Sequence, residues 1–311
     1  MIFLLFAILL GSLFAVVFKV CQNKGIDVGQ VIMFNYLTAF LLSVIPVAIN
    51  IAAGNAAFRE DYMLPVECAL PAVIQGFFFF FGFKMMDRST WRNGVALTTA
   101  SARASLIIPV ILSWLLLGQS RPNWLAVALI LGAMMLMVLP SRSAVHDPSL
   151  QTGISERKRK TKTMLALVAV FLTYGISDFS LKTVQHSVEL RAADPEALGL
   201  LLSSQTVIIF FVAGLFSFGS CLAGGSFKKH PFSWKSVGGG VILGLVNAGC
   251  TACSLRALSR ISTSQYYPLY NIGIVLTATL VGVLFFKEKL RPLQIAGLAL
   301  AVVAIGLSFS F

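Results

Sequence analysis

Charge is what this 311-residue chain has least of. Only 12% of its residues are Asp, Glu, Lys or Arg, while 57% are hydrophobic. Soluble domains carry about 25% charged residues, so a soluble globular fold is excluded: a chain of this length cannot hide so much apolar surface from water. Acids are scarcer still, 12 against 24 Lys and Arg, which leaves a net charge of +12. A basic excess alone points toward nucleic acid. Such a binder needs its cations on a polar face, however, and the long apolar runs leave none, so no nucleic-acid partner is expected. Cysteine is sparse and odd in number, five in all, mostly within or beside apolar segments, which argues against a disulfide framework. Cys250 and Cys253 form a CxxC pair with no second pair to complete a zinc site, and helix packing is the expected role. His146, His186 and His230 show no metal-ligand spacing, so neither a metal nor a cofactor is expected. No basic segment precedes the apolar run at Met1, so a retained span is expected there rather than a cleaved signal peptide.

Long apolar runs are what the chain does have. A helical span needs about 20 largely apolar residues. Ten stretches qualify, at 1–20, 30–52, 65–86, 94–117, 123–140, 164–185, 197–222, 236–256, 262–286 and 292–311. Lipid offers unpaired backbone groups no partner, so these are read as helices of an all-α integral membrane protein. The polar stretch 141–163 ends in the basic run Arg157-Lys158-Arg159-Lys160 and divides the chain into a first five-helix repeat (1–140) and a second (164–311). Local echoes recur in the same order in both halves. Lys84-Met85-Met86-Asp87-Arg88 corresponds to Arg256-Ala257-Leu258-Ser259-Arg260, and Gly118-Gln119 before Arg121-Pro122 corresponds to Lys287-Glu288 before Arg291-Pro292. Five spans per half turn the second half upside down, an inverted repeat. Of the 24 Lys and Arg, 17 fall toward the membrane side opposite the N-terminus and six toward the N-terminal side, with Arg103 deep inside a span. The positive-inside rule then makes the basic linker cytoplasmic and puts both termini outside.

The stretch Gly273-Ile274-Val275-Leu276, followed by Gly282-Val283-Leu284-Phe285-Phe286-Lys287-Glu288-Lys289-Leu290-Arg291-Pro292 and the helix around Gly297, resembles the drug/metabolite transporter superfamily. It is similar to both the four-helix small multidrug exporters and the ten-helix EamA-type carriers. Leu117-Gly118-Gln119 resembles a degraded copy, with Gln119 where these repeats commonly have Glu. The small exporters rely on a glutamate embedded in the first helix; the matching stretch here, Leu9-Leu10-Gly11-Ser12-Leu13-Phe14, has no acid. That glutamate's proton coupling is therefore not carried over. Tyr267 and Tyr270 fall where the family places aromatic residues that line its substrate pocket.

Ionisable groups inside spans cost about 2.5–3.5 kcal/mol each on insertion scales, and they usually face a cavity or a partner. Arg103 is expected about 13 Å along its span, near the midplane. Thr98, Ser101 and Ser105 share one helical face from which Arg103 projects away, and either a wet cavity or a structural ion pair accounts for Arg103. Asp178 is the one acid in a span interior, about 21 Å along its helix. It suits proton or cation coupling, with a structural pair to Arg103 or Lys182 as the competing account, the local i,i+4 pair to Lys182 being slightly favoured. Lys19 and Lys182 occupy repeat-related positions, to be read either as snorkelling cations or as gates at two mouths of one path. Asn247, Thr251 and Gln75 are polar groups at expected helix interfaces, serving interhelical hydrogen bonds or substrate. Tyr266, Tyr267 and Tyr270 accompany Pro268 and Asn271, where a proline is expected to break the helix and expose a carbonyl. The run Phe77 to Phe81 circles its helix and is read as lipid contact and packing.

Nothing in the chain resembles a Walker motif, so ATP is not the expected energy source. Nor does any clustered acid, histidine or nucleophile–base pair mark an enzyme at one interface. The resemblance implies a ten-helix secondary transporter in the cytoplasmic membrane of a bacterium. Its expected action is export of a small anionic or zwitterionic metabolite by alternating access. A proton-coupled cation or drug exporter using Asp178, or a lipid-carrier translocase, is the alternative. Metabolite and membrane lipid are the expected partners, and the protein is a monomer or a homodimer.

Overall fold

The computed structural model describes residues 1–53, 66–138, 153–192, 195–224, 232–286 and 292–308. Among them are ten helices and no strand: α1 (Ile2–Asn23), α2 (Val28–Ala52), α3 (Val66–Ala104), α4 (Ile107–Leu116), α5 (Trp124–Val138), α6 (Gly153–Glu189), α7 (Pro195–Ala223), α8 (Trp234–Leu258), α9 (Thr263–Phe286) and α10 (Pro292–Ser308). Among the described residues, six segments are long and apolar enough to cross a membrane: Val28–Ala52, Cys68–Thr90, Thr98–Leu116, Thr161–Glu189, Ala197–Ala223 and Trp234–Leu258. Their apolar side chains are turned outward as well as inward; Ile49, Leu116, Leu165 and Leu215 are all exposed. An apolar exterior on this scale is stable only against lipid. The chain is a multi-pass, all-helical membrane protein.

Within 65–117 the helices depart from the expected boundaries twice, each time for a local reason. Residues 66–104 are helical throughout, with no coil between the spans expected at 65–86 and 94–117. Yet the Ser89 and Thr98 hydroxyls are hydrogen-bonded at 2.8 Å. In a straight helix nine residues separate them by about 13 Å, so α3 turns back on itself between these two positions. The other departure is a break at Ser105–Leu106, between α3 and α4, inside the Thr98–Leu116 span. Pro109 explains it, because its ring clashes with the carbonyl four residues back, that of Ser105, and it brings no N–H to that bond. Pro268, where the sequence predicts a break, lies inside an uninterrupted α9. On the polar linker, 141–152 lie outside the described residues, whereas α6 begins at Gly153, eleven residues ahead of the span expected from 164.

The chain forms two compact units, Met1–Phe80 with Ser180–Ile261, and Phe81–Phe179 with Ser262–Phe311. Each draws on both halves of the sequence. In the first unit α2 packs on α7 and α8, and α1 packs on α8. Gly240 and Gly244 let α2 approach closely: a Cβ on Gly244 would lie 2.7 Å from the Asn35 carbonyl oxygen, and one on Gly240 2.9 Å from that of Val31. This small-xxx-small spacing brings two backbones together where no side chain fits. Phe77 and Phe80 pack on Phe216 of α7, and Phe79 on Phe210, with ring centroids 5.1–6.2 Å apart. Part of the phenylalanine run is therefore helix–helix packing. The Cys250 thiol donates to the Ala7 carbonyl at 3.5 Å.

In the second unit α5 packs on α10, and α9 on α4 and α5. Gly118 follows α4 with φ +62°, the left-handed conformation that a helix end assigns to glycine. It presents Gln119, whose Oε1 accepts from both the backbone N and the Oγ1 of Thr263 at 3.3 Å and so caps the start of α9. Gly175 of α6 sits directly against the Ile108 side chain of α4, leaving no room for a Cβ.

Candidate functional site

Within the second unit, three helix segments bring ionisable and aromatic side chains together. α3 supplies Arg103 in its last turn, at the Pro109-induced break. A helix C-terminus there stabilises the guanidinium through its unsatisfied carbonyls. α6 supplies Tyr174 and Asp178, four residues apart and thus on one face. α9 supplies Tyr266, Tyr267, Tyr270 and Asn271.

The connections between them are specific. Arg103 Nη1 donates to Asn271 Oδ1 at 3.1 Å, and Asn271 Nδ2 donates to the Tyr267 carbonyl at 3.0 Å. That second bond fixes which end of the amide faces the guanidinium. The Tyr267 hydroxyl donates to the backbone carbonyl of Asp178, joining α9 to α6. Tyr174 donates its hydroxyl to Met86 Sδ at 2.8 Å. Tyr266 stacks on Tyr270, centroids 5.5 Å apart and planes 10° apart, and meets Tyr267 edge-on at 5.0 Å. Tyr266, Tyr267 and Asn271 are buried, while Arg103, Asp178, Tyr174 and Tyr270 are half-buried.

Charge is the feature that sets this cluster apart. Arg103 acts electrostatically on both Asp178 and Tyr174. Among the described residues, no hydrogen bond or ion pair reaches the Asp178 carboxylate, and Arg103 Nε is buried without an acceptor. Among the described residues, no ion pair joins Asp178 to Lys182. Lys182 Nζ donates instead to Gln185 Oε1 and, at 3.4 Å, to the Leu258 carbonyl that ends α8.

The other expected site residues take different places. Thr98 holds the reversal of α3 through Ser89, with Asn93 Nδ2 donating to Ser89 Oγ at 2.9 Å and, at 3.3 Å, to the Thr163 carbonyl. Ser101 donates to the Leu167 carbonyl of α6 at 2.7 Å, and Ser105 to Ala102 at 2.6 Å. Of these hydroxyls, that of Ser101 joins α3 to α6, that of Thr98 joins two stretches of α3, and that of Ser105 stays on its own turn. Lys182 and Asn247 belong to the first unit. There Asn247 Nδ2 donates to Asn35 Oδ1 at 3.2 Å, and Gln185 passes the Lys182 chain on to Glu189 at 2.6 Å. Lys19 lies on α1 with its side chain outside the described residues.

Sequence reasoning missed Tyr174 and Met86, although Tyr174 stands one helical turn before Asp178. It also missed a cleft in the first unit, between α2, α7 and α8, lined by Ser43, Pro46, Ser203, Thr206, Phe210 and Arg256 among others. Its hydroxyls are spent on their own helices: Ser43 donates to Phe40, Ser203 to Gly199 and Thr206 to Ser203.

No family model matches the chain. An uncharacterized protein of Haemophilus influenzae is 25% identical over 310 residues, covering 97% of this chain and 95% of the relative. A crystal structure of another protein superposes with a TM-score of 0.68 over 99% of this chain and 95% of its own, at 14% identity. At that identity the likeness speaks for the fold alone.

Proposed function

We propose that the chain is a secondary active transporter of the drug/metabolite transporter superfamily, of the ten-span EamA type built from two inverted five-helix repeats. It exports a small anionic or zwitterionic metabolite by alternating access, across the cytoplasmic membrane of a bacterium, with both termini outside. One observation carries this reading. Arg103 and Asp178 stand half-buried in membrane-spanning segments, near each other and not paired, beside stacked tyrosines. Uncompensated charge inside a span is costly, and it is retained where it faces a solute or ion path. A helix break beside Arg103 fits the same picture, since interrupted helices commonly form ligand sites in carriers.

The test is solute exchange in proteoliposomes holding the purified protein. Wild-type protein exchanges a labelled anionic or zwitterionic metabolite, and the Arg103→Gln variant, inserted and folded as well as wild type, does not. Normal exchange by that variant removes Arg103 from the path. The open Asp178 carboxylate also favours a second reading, a proton-coupled cation exporter. In that case Asp178→Asn abolishes transport and an imposed pH gradient drives it; an active Asp178→Asn variant that ignores the gradient ends that reading.

A further inference from the structure

α2 and α8 meet backbone to backbone at Gly240 and Gly244, and one turn further along α8 a cleft opens between α2, α7 and α8. It opens because the residues that would fill it are small: Ala248 and Ala252 on α8, and Gly199 on α7. A methyl group added at Gly199 would meet nothing within 4 Å. Pro46 on the α2 wall is exposed beside Ile45 and Ile49, the apolar exterior that lipid covers. The walls run from Ala248 to Arg256 on α8, about 12 Å, and from Gly199 to Phe210 on α7, about 16 Å. That is about the depth of one leaflet, half of a hydrocarbon core about 30 Å thick.

The lining has two chemistries. Leu42, Leu202, Phe210 and Leu255 make an apolar wall, and the hydroxyls of Ser43, Ser203 and Thr206 donate within their own helices. A polar solute would give up its hydration there without gaining new donors; an acyl chain gives up none. At the C-terminal end of α8 the character changes. Arg256 closes the cleft with its guanidinium 5.9 Å from the centre of the Phe3 ring of α1, and Arg260 reaches the same ring at 5.5 Å. Both arginines are exposed, and among the described residues neither has a carboxylate partner. Two like charges gathered at one ring repel each other, and an anion at that end of the cleft relieves them. Phosphate suits a guanidinium best, since the planar fork can donate to two of its oxygens.

We infer that this cleft holds an anionic phospholipid, with one acyl chain between α2, α7 and α8, its phosphate on Arg256, and Arg260 adding to the charge. Phosphatidylglycerol fits better than a zwitterionic lipid, whose headgroup would bring its own cation beside the two guanidiniums. The lipid stays bound as part of the first unit and stabilises it, because a ligand of the folded state shifts unfolding by mass action. Arg103 and Asp178 belong to the second unit and take no part.

The experiment is native mass spectrometry of the purified full-length protein in detergent, titrated with phosphatidylglycerol and phosphatidylcholine that carry the same oleoyl chains. The first phosphatidylglycerol should bind about ten-fold or more tightly than the first phosphatidylcholine, the worth of one charge-assisted hydrogen bond. Arg256→Gln should remove most of that preference, the double variant with Arg260→Gln all of it, and Arg256→Lys should keep part. Ala252→Phe, which fills the cleft, should weaken both lipids by about ten-fold. Arg256 is exposed, so its variants keep the test decisive should Ala252→Phe fail to fold. Phosphatidylglycerol with hexanoyl chains, the same headgroup on short tails, should bind about ten-fold more weakly than the oleoyl form. Replacing Lys158, Arg159 and Lys160 of the basic run with Gln should leave the tight phosphatidylglycerol in place. Equal binding of the two oleoyl lipids overturns the inference. So does a preference that survives loss of both Arg256 and Arg260, one that vanishes with the basic run, or equal binding of the hexanoyl form.

Discussion

Replacing Gly244 with alanine is the sharpest structural test, because the cost can be worked from the seam between α2 and α8. The new methyl carbon would lie 2.6 Å from Thr38 Cβ and 2.7 Å from the Asn35 carbonyl oxygen. Both are far inside van der Waals contact, and one of the obstacles is backbone, so relief requires α2 to move. Overpacking of this kind costs about 1–3 kcal/mol, against a helix-propensity gain from Gly to Ala of up to about 1 kcal/mol. The net expectation is destabilisation of about 1–2 kcal/mol. Gly238 is on the same helix, and a methyl group added there would meet nothing within 4 Å, so Gly238→Ala should gain the propensity term alone. Reversible unfolding of the purified protein in mixed micelles, followed by helical circular dichroism, measures both. Gly240→Ala should resemble Gly244→Ala, and the double variant should fall short of additivity because one shift of α2 relieves both clashes. If Gly244→Ala is as stable as Gly238→Ala, the close approach of α2 to α8 is wrong.

Asn247→Leu should destabilise the first unit by about 1–3 kcal/mol, because it leaves Asn35 Oδ1 buried without its 3.2 Å donor. Replacing both asparagines with leucine should recover much of that loss in the same unfolding assay. Gln119→Ala removes two 3.3 Å hydrogen bonds at the start of α9 and should cost about 1 kcal/mol. Gln119→Glu, which still presents acceptor oxygens, should cost less. Pro109→Ala should let the helix run through Ser105 and Leu106, keeping or raising thermal stability while slowing solute exchange in proteoliposomes, because it moves Arg103 away from a helix end.

Much of the architecture is legible in hydropathy because lipid imposes a single rule, that backbone polar groups pair within their own segment. Thus the run from Val28 to Ala52 and that from Trp234 to Leu258 emerge within two residues of their expected ends. Local chemistry is harder to read. Pro109 and Pro268 look alike in sequence, yet only the first breaks its helix. Pro268 lies in the second turn of α9 and displaces only the bond to Ser264, near an end where few intrahelical bonds are lost. Pro109 falls mid-span, where the broken bond has no such cover. The basic residues before Met164 read as a polar linker, yet they continue α6, since Lys, Arg and Glu are good helix formers once a long apolar helix has nucleated.

The candidate site is legible as a set of residue types and only partly as a constellation. Arg103, Asp178 and Tyr267 announce themselves as polar groups in apolar runs, and the structure joins them through Asn271 and main-chain carbonyls. Lys182 shows how proximity misleads. Spacing of four permits a pair with Asp178, but the C-terminal carbonyls of α8 and the Gln185–Glu189 chain offer its ammonium a better-hydrogen-bonded place. Thr98 and Ser101 share a face as expected, and they spend their hydroxyls on other helical segments. No periodicity in a single segment predicts which neighbour a hydroxyl will meet.

The claim that Arg103 and Asp178 face a path open in turn to each side of the membrane is tested most directly by labelling Asp178→Cys. The five native cysteines, all free thiols, are first replaced. A charged, membrane-impermeant thiol reagent is then applied to sealed vesicles of both orientations. Modification from each side is the predicted result. A thiol inert to the reagent from both sides would place residue 178 in a sealed interior and contradict the account.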